Sequence, residues 1–322
     1  MPFAANAATP AGDDLLAEVE ALGVRIAAVR AQVGRAIYGQ PEVVDQTLIT
    51  LLSGGHVLLV GVPGLGKSRL VETLAIVLGV ASKRVQFTPD LMPADILGSE
   101  VLDEEPGGRR SFRFVPGPVF CQLLMADEIN RASPRTQSAL LQAMQEQRVA
   151  VGGVEYPLPR PFHVLATQNP IELEGTYPLP EAQLDRFIFN TLLDYLSADH
   201  EMQVLSLTTT TAKAVVVPVT TAEEILDFQQ VVRMVPIADL VARYAIDLVR
   251  ATRATDPTSP DFVRKYVNFG ASVRAAQFLV LASKARALMR HRILLNFQAE
   301  SDRLTQDDIL KKLLEAMPPP KA

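Results

Sequence analysis

The chain has 322 residues, of which 48% are apolar and 21% charged, and a formal net charge of −5. That suits one large or two ordinary globular domains with a sizeable core, and the acidic balance argues against a general nucleic-acid or anionic-membrane binder. Cys121 is the only cysteine, which excludes an intrachain disulfide and fits a reducing compartment. No apolar run reaches membrane-spanning length, and the start, MPFAANAATPAGDD, lacks the features of a signal peptide. A cytoplasmic protein without membrane insertion is expected.

Residues 1–12 are small and Pro-containing and are expected to be disordered. Leu15, Val19, Leu22, Ile26, Val29, Val33 and Ile37 then recur every three or four positions, the period of an amphipathic helix, with Asp13 as its cap. YGQPE breaks it, and VVDQTLITLLSGG reads as a second helix ending at glycines. HVLLVG is a short buried strand, SRLVETLAIVLG a helix and KRVQFT a second strand. Residues 89–118 are rich in Pro and Gly. There DEEPGGRR turns between SEVL and SFRFV, which predicts an inserted β-hairpin. CQLLMADE is the third strand. SPRTQSALLQAMQEQ opens with a Ser cap and a first-turn Pro, so it is a helix. Gly152-Gly153 predicts a second hairpin over 148–158. FHVLATQNP and RFIFNTLL are the fourth and fifth strands.

Apolar strands alternating with helices imply a parallel sheet covered on both faces, here an α/β domain over 13–195. Residues 196–220, with their Thr and Val tract, read as a linker. From 221 to 317 every element reads as helix, closing on TQDDILKKLLEAM, a capped terminal helix.

The octamer Gly61–Ser68, GVPGLGKS, fits G-x-x-x-x-G-K-[ST] and lies between a buried strand and a helix. Small residues let backbone N–H groups turn toward phosphate oxygens, and the helix N-terminus adds its positive end. Lys67 would reach the terminal phosphates of ATP, and Ser68 would ligate Mg²⁺. Gly61, Pro63, Gly64, Leu65, Gly66 and Arg69 complete the cofactor-binding set. Asp127 and Glu128 end the third strand, which is expected to lie beside the strand that carries the loop. There Asp127 would hold Mg²⁺ and Glu128 would polarise the attacking water. Asn169 ends the next strand and could hydrogen-bond phosphate or water; in isolation it reads as a turn-forming Asn before Pro. Arg186 precedes the fifth strand and suits transition-state charge; in isolation it reads as a surface ion pair.

Five blocks, IYGQPEVV, LLVGVPGLGKS, LLMADEINRASPRTQSALLQAMQE, HVLATQNPIELEGTYPLPEAQLDRF and GASVRAA, together resemble the AAA+ ATPases, and more narrowly the MoxR family of the helix-2-insert clade. The resemblance implies a five-stranded αβα sandwich followed by a small all-α lid. It implies that Ile37, Tyr38 and Gly39 sit by the adenine, that Asn169 is sensor 1, that Arg186 is an arginine finger acting on a neighbouring subunit's nucleotide, and that Arg274 is sensor 2 reaching down from the lid. It also implies a homo-oligomeric ring, a hexamer, with hairpins at 89–118 and 148–158 facing the pore, and protein clients that include von Willebrand A-domain proteins. Phe114 and Tyr156 in those hairpins would either touch clients or simply pack. MoxR-like chains usually carry more helix between blocks like KARAL and RHRILLNFQAE; here Leu288 and Met289 join them almost directly, which implies a shortened lid near 288–290.

Three functions follow. The first is an Mg²⁺-dependent ATPase that remodels or matures partner proteins, with a metal-chelatase motor subunit as a close variant. The second is a nucleic-acid-dependent motor, against which stand the acidic charge and the lack of a helix-turn-helix, zinc or OB-like module. The third is a nucleotide-dependent switch without turnover, against which stand Lys67, Asp127, Glu128 and Arg186. GGRRSFR and RALMRHR read as solvated basic faces, and His163, His200 and His291 show no metal-ligand spacing.

Overall fold

In the computed structural model, residues 12–104, 110–171, 175–209, 215–268 and 270–289 are described. The expected tail up to residue 11, residue 290 of the expected lid junction and the expected terminal helix lie outside them. The chain opens with α1 (Gly12–Val33) and α2 (Pro41–Leu52), broken at Gly39-Gln40-Pro41 as the sequence implies. Then come β1 (Val57–Val60), α3 (Lys67–Leu78), β2 (Ser82–Gln86) and a single turn, α4 (Pro93–Leu97). β3 (Gly98–Glu104) and β4 (Arg110–Pro116) form the first hairpin. β5 (Leu123–Asp127) leads to α5 (Pro134–Glu146), whose Ser133 side chain accepts the Thr136 N–H as the expected cap. β6 (Arg148–Val151) and β7 (Val154–Pro157) form the second hairpin, followed by β8 (His163–Gln168), α6 (Glu181–Leu184) and β9 (Phe189–Leu192). The rest is helical: α7 (Ala198–Thr208), α8 (Ala222–Met234), α9 (Asp239–Ala251), α10 (Asp261–Tyr266) and α11 (Val273–Met289).

Strands β2, β5, β8, β1 and β9 pair in that order, all parallel. Because side chains alternate between faces along a strand, the apolar runs feed two cores. Leu58, Leu124, Val164 and Ala166 face a core shared with α5 and the hairpin bases. Val57, Leu59, Leu123, Met125 and Leu165 face the other, shared with α1, α2 and α3. This is the αβα sandwich with an added helical region. One expectation fails: the strand ending at Asp127 does not lie beside β1. Strand β8 sits between them, so at a strand spacing of about 4.8 Å the two ends are roughly 10 Å apart.

The stretch 196–220, expected as a linker, contains α7. Ser197 caps it by accepting the His200 N–H, and Asp199 and Glu201 sit in its first turn. α1 serves two cores: Val29 and Val33 pack toward the sheet, whereas Leu22 and Ile26 pack with α2, α8 and α11.

At the end of the sheet where the strands begin, two buried histidines tie layers together. The Val164 N–H donates to His56 Nδ1 at 2.9 Å, which leaves His56 Nε2 to face the Met144 carbonyl at 3.3 Å. His163 Nδ1 contacts the Gly55 carbonyl at 2.8 Å, and its Nε2 meets the Gln229 amide of α8 at 3.1 Å; that amide also donates to the Leu51 carbonyl at 2.8 Å. Burial lowers the pKa of His56 to about 3 and of His163 to about 4, with the charge of His163 a further cause at His56.

Candidate active site

The phosphate-loop octamer begins at Gly61, which continues β1 by donating its N–H to the Gln168 carbonyl of β8 at 3.1 Å. Gly64 and Gly66 have φ of +88° and +77°, a region that L side chains rarely enter, and a Cβ at either would meet nothing within 4 Å. The loop thus presents bare backbone to open space, and α3 starts at Lys67 without a side-chain cap. Uncapped first-turn N–H groups and a backbone free of Cβ atoms fit a polyphosphate. The Lys67 ammonium lies against the carbonyls of Gly61 at 2.5 Å and Gln168 at 3.4 Å. Burial lowers its pKa, while the charges of Asp127 and Glu128 act in the opposite direction. Lysine and acids therefore share one electrostatic site, although they come from strands that are not neighbours.

Strand β8 makes that possible. Thr167 pairs in register with Leu59 of β1 and is fully buried. Its hydroxyl donates to Asp127 Oδ1 at 2.5 Å and accepts the Glu128 N–H at 2.8 Å. The other Asp127 oxygen accepts from Arg84 of β2 at 2.5 Å. Glu128 stands at φ 55°, ψ 50°, a left-handed conformation that costs about 1–3 kcal/mol for a non-Gly residue away from a helix C-terminus. Its carboxylate is held by Gln86 at 2.8 Å and Arg131 at 3.1 Å. The strain, the backbone tie to Thr167 and the two side-chain donors fix where this carboxylate points. Thr167, Arg84, Gln86 and Arg131 were not singled out from the sequence. No sequence signal marked them, because the pairing of β5 with β8 and β2 that brings them to the acids is not written in any one segment.

Asn169 is buried just beyond β8, and its Oδ1 accepts the Ile171 N–H at 3.2 Å, the turn geometry its Pro neighbour suggests. Ser68 lies half-buried in the first turn of α3, with Arg69 exposed beside it. Ser68 and Asp127 are oxygen donors of the kind Mg²⁺ takes.

A cavity of about 290 Å³ opens beside the loop, lined by Ile37, Tyr38, Gln40, Leu65, Gly66 and Arg69 on one side and by Leu196, Val204 and Leu205 on the other. Apolar walls with a few polar groups suit a flat base. Gln40 donates to the Leu65 carbonyl at 3.0 Å and ties this wall to the loop. Gly39 does not line the cavity. It has φ +68°, and a Cβ there would come within 2.8–2.9 Å of His200 and Leu196, so it lets α7 close the far wall.

Arg186 and Arg274 do not line this cavity. Arg186 Nε is buried without a hydrogen-bond partner among the described residues. Burial lowers its pKa, and the charge of Arg274 adds to this. Arg274 donates to Asp185 Oδ2 at 3.2 Å.

Residues 56–189 match the family model for the ATPase family associated with various cellular activities (AAA). The chain is 38% identical to Chaperone MoxR1 of Mycobacterium tuberculosis over 98% of its own length and 87% of that protein. The chain belongs to the MoxR family of AAA+ ATPases. It is also 30% identical to Protein MoxR of Paracoccus denitrificans, covering 81% of this chain and 80% of the relative. A crystal structure of a protein from Cytophaga hutchinsonii superposes with a TM-score of 0.79 at 36% identity, covering 94% of this chain and 97% of that one. Within the MoxR frame the two hairpins are packed side by side. Phe114 of β4 stacks on Tyr156 of β7, with centroids 4.0 Å apart and planes at 18°, and meets Phe120 edge-on at 5.5 Å. Arg113 pairs with Asp103 and Glu155 with Arg148. Phe112 projects instead, 72% exposed, beside Leu102 at 55%.

Proposed function

We propose that this MoxR-family protein binds ATP with Mg²⁺, hydrolyses it, and couples hydrolysis to the remodelling or maturation of partner proteins as a homo-oligomeric ring, a hexamer, in the cytoplasm. The observation that carries the reading is that Lys67 bonds the carbonyl of Gln168 at the end of β8, while Thr167, one residue before it, bonds Asp127 and the Glu128 N–H. Lys67 and the loop N–H groups would hold the phosphates, and Ser68 and Asp127 would hold the metal, whose chemistry is to screen phosphate charge. Glu128, fixed by its backbone strain and its donors, accepts the proton of the attacking water. Asn169 orients that water. Arg186, a half-buried arginine whose Nε is buried without a partner among the described residues, supports the reading of a finger completed by a neighbouring subunit's phosphate. The name Chaperone MoxR1 of one relative supports protein clients, and we include von Willebrand A-domain proteins among them on the family resemblance. Glu128→Gln tests the reading. It retains the phosphate and metal contacts and lacks the base, so ATP binding should stay within a few-fold while turnover falls by about 10²-fold or more. Turnover within twofold of wild type would remove Glu128 from the mechanism.

A further inference from the structure

Helix α9 carries more apolar surface than its neighbours cover. Its charged residues Asp239, Arg243, Asp247 and Arg250 recur every three or four positions and so share one side of the helix. Most of the remaining circumference is apolar, yet only Ala242, Ala245 and Val249 are buried there, a narrow seam on a helix that packs chiefly on α11. Beside the seam, Leu240, Tyr244 and Leu248 stand at i, i+4 and i+8 with Val241 next to them. They are 75%, 39%, 43% and 51% exposed in that order. α11 shows the same mismatch. Apolar residues occur on all sides of it, but among its described side chains only Ala282 and Ala285 are buried, and Leu279 is 40% exposed. A helix that is apolar all round is normally enclosed, and a contiguous uncovered apolar strip marks a docking surface.

The chain itself holds a segment of matching pattern. Residues 305–317, TQDDILKKLLEAM, lie outside the described residues. In the sequence Ile309, Leu310, Leu313, Leu314 and Met317 keep helical spacing, while Asp307, Asp308, Lys311, Lys312 and Glu315 take the intervening positions. The segment has the length of α9, 13 residues, about 20 Å as a helix. The connection 290–304 starts where α11 ends, on the helix that packs against α9, and can extend roughly 50 Å, so reach is no obstacle. The strip on α9 is small beside the roughly 1,200–2,000 Å² that a stable interface between separate chains buries, which counts against a second copy as its occupant. A tethered segment needs less area, because its effective concentration is on the order of millimolar. We infer that residues 305–317 dock as an amphipathic helix on the strip of Leu240, Val241, Tyr244 and Leu248, so that the end of this chain completes its own helical region. The charged positions of both helices then stay toward water.

Cross-linking on the full chain tests this independently of ATP hydrolysis. Cys121, the only native cysteine, is buried, so an engineered pair supplies the accessible thiols. One variant carries Tyr244→Cys with Leu313→Cys, both near the middle of their helices, so that their approach does not depend on which way the segment runs. The control carries Arg243→Cys with Glu315→Cys, on the charged sides. Each is treated with a short bis-maleimide, and products within a chain and between chains are separated on a denaturing gel. The first pair should give about fivefold or more within-chain product than the control, because docking raises the local concentration of one thiol at the other well above that of a free tether. Adding Leu310→Asp and Leu314→Asp to the first pair should bring its yield down to that of the control. Equal yields from the two pairs would mean that the segment is merely tethered, and product mainly between chains would give the strip to a second copy; either result overturns the inference. A yield that survives the two aspartates would show that the apolar stripe is not what docks, and overturns it too.

Discussion

The neutral buried histidines predict a specific acid sensitivity. His163 titrates near 4 and His56 near 3 in the folded chain, against about 6.5 when unfolded. Both folded values are depressed, so the unfolded state binds protons first as pH falls. The stability that neutrality supports is complete above pH about 6.5 and is lost progressively below it, until the folded groups titrate in their turn. At pH 5 each site has an unfavourable difference of about 1.5 log units, or about 2 kcal/mol, and the pair about 4 kcal/mol. That is a large share of a typical domain's stability. Urea unfolding of wild type and His163→Gln at pH 7.5 and 5.0 isolates the effect, because every other titrating group is common to both chains. The variant starts less stable, having altered contacts to Gly55 and Gln229. Its further loss between the two pH values should nevertheless be about 2 kcal/mol smaller. Equal pH-dependent losses in the two chains would show that His163 is not held neutral by burial.

Two further outcomes follow from the site and the hairpins. Phe114→Ala should destabilise the chain by about 1–2 kcal/mol in urea unfolding, since the ring stacks on Tyr156; Phe112→Ala should stay within about 0.5 kcal/mol and lower client-dependent activity without changing basal hydrolysis, and the reverse pattern would assign client contact to Phe114. Lys67→Ala and Arg186→Ala should each be nearly inactive alone yet regain hydrolysis when co-assembled, because one supplies an intact guanidinium and the other an intact phosphate loop. A co-assembled mixture no more active than the sum of its parts would confine Arg186 to its own subunit.

The fold was largely legible because its elements satisfy local rules and tertiary demands at once. Val57–Val60 and Leu123–Asp127 are apolar runs bounded by turn residues, and Ser133-Pro134 starts a helix by both capping and φ preference. Two readings went astray for different reasons. Strand order is not written in any one segment: nothing in Leu123–Asp127 says whether its neighbour is β1 or β8, because each strand is apolar on both faces. Helix α7 was obscured by the Thr and Val tract that follows it, although Ser197, Asp199 and Glu201 are ordinary start signals. Its apolar positions Val204 and Leu205 close a cavity wall rather than a core, so they leave too weak a periodicity to outweigh that tract.

At the site, sequence marks the groups that would touch ligand and misses those that aim them. Lys67, Asp127 and Glu128 stand out because charged residues at the ends of apolar runs demand an explanation. Thr167, Arg84 and Gln86 do not, since a Thr within a strand or an Arg on an edge strand is unremarkable until the neighbouring strand is known. Glu128 shows why the distinction matters. A non-Gly residue at φ 55° contradicts local preference, and Gln147, the other such residue among those described, sits at a helix C-terminus where left-handed geometry is ordinary. Glu128 has no such excuse. Its conformation is maintained by the Thr167 hydroxyl on its N–H and by Gln86 and Arg131 on its carboxylate. Three contacts from β8, β2 and the turn after β5 therefore sustain a posture that the residue would not adopt alone. That is the pattern expected where position is maintained for chemistry, and it is why a conservative change at Thr167 should disturb the site more than the same change at Thr191, which is also a buried strand threonine but bonds Gln46 well away from the acids.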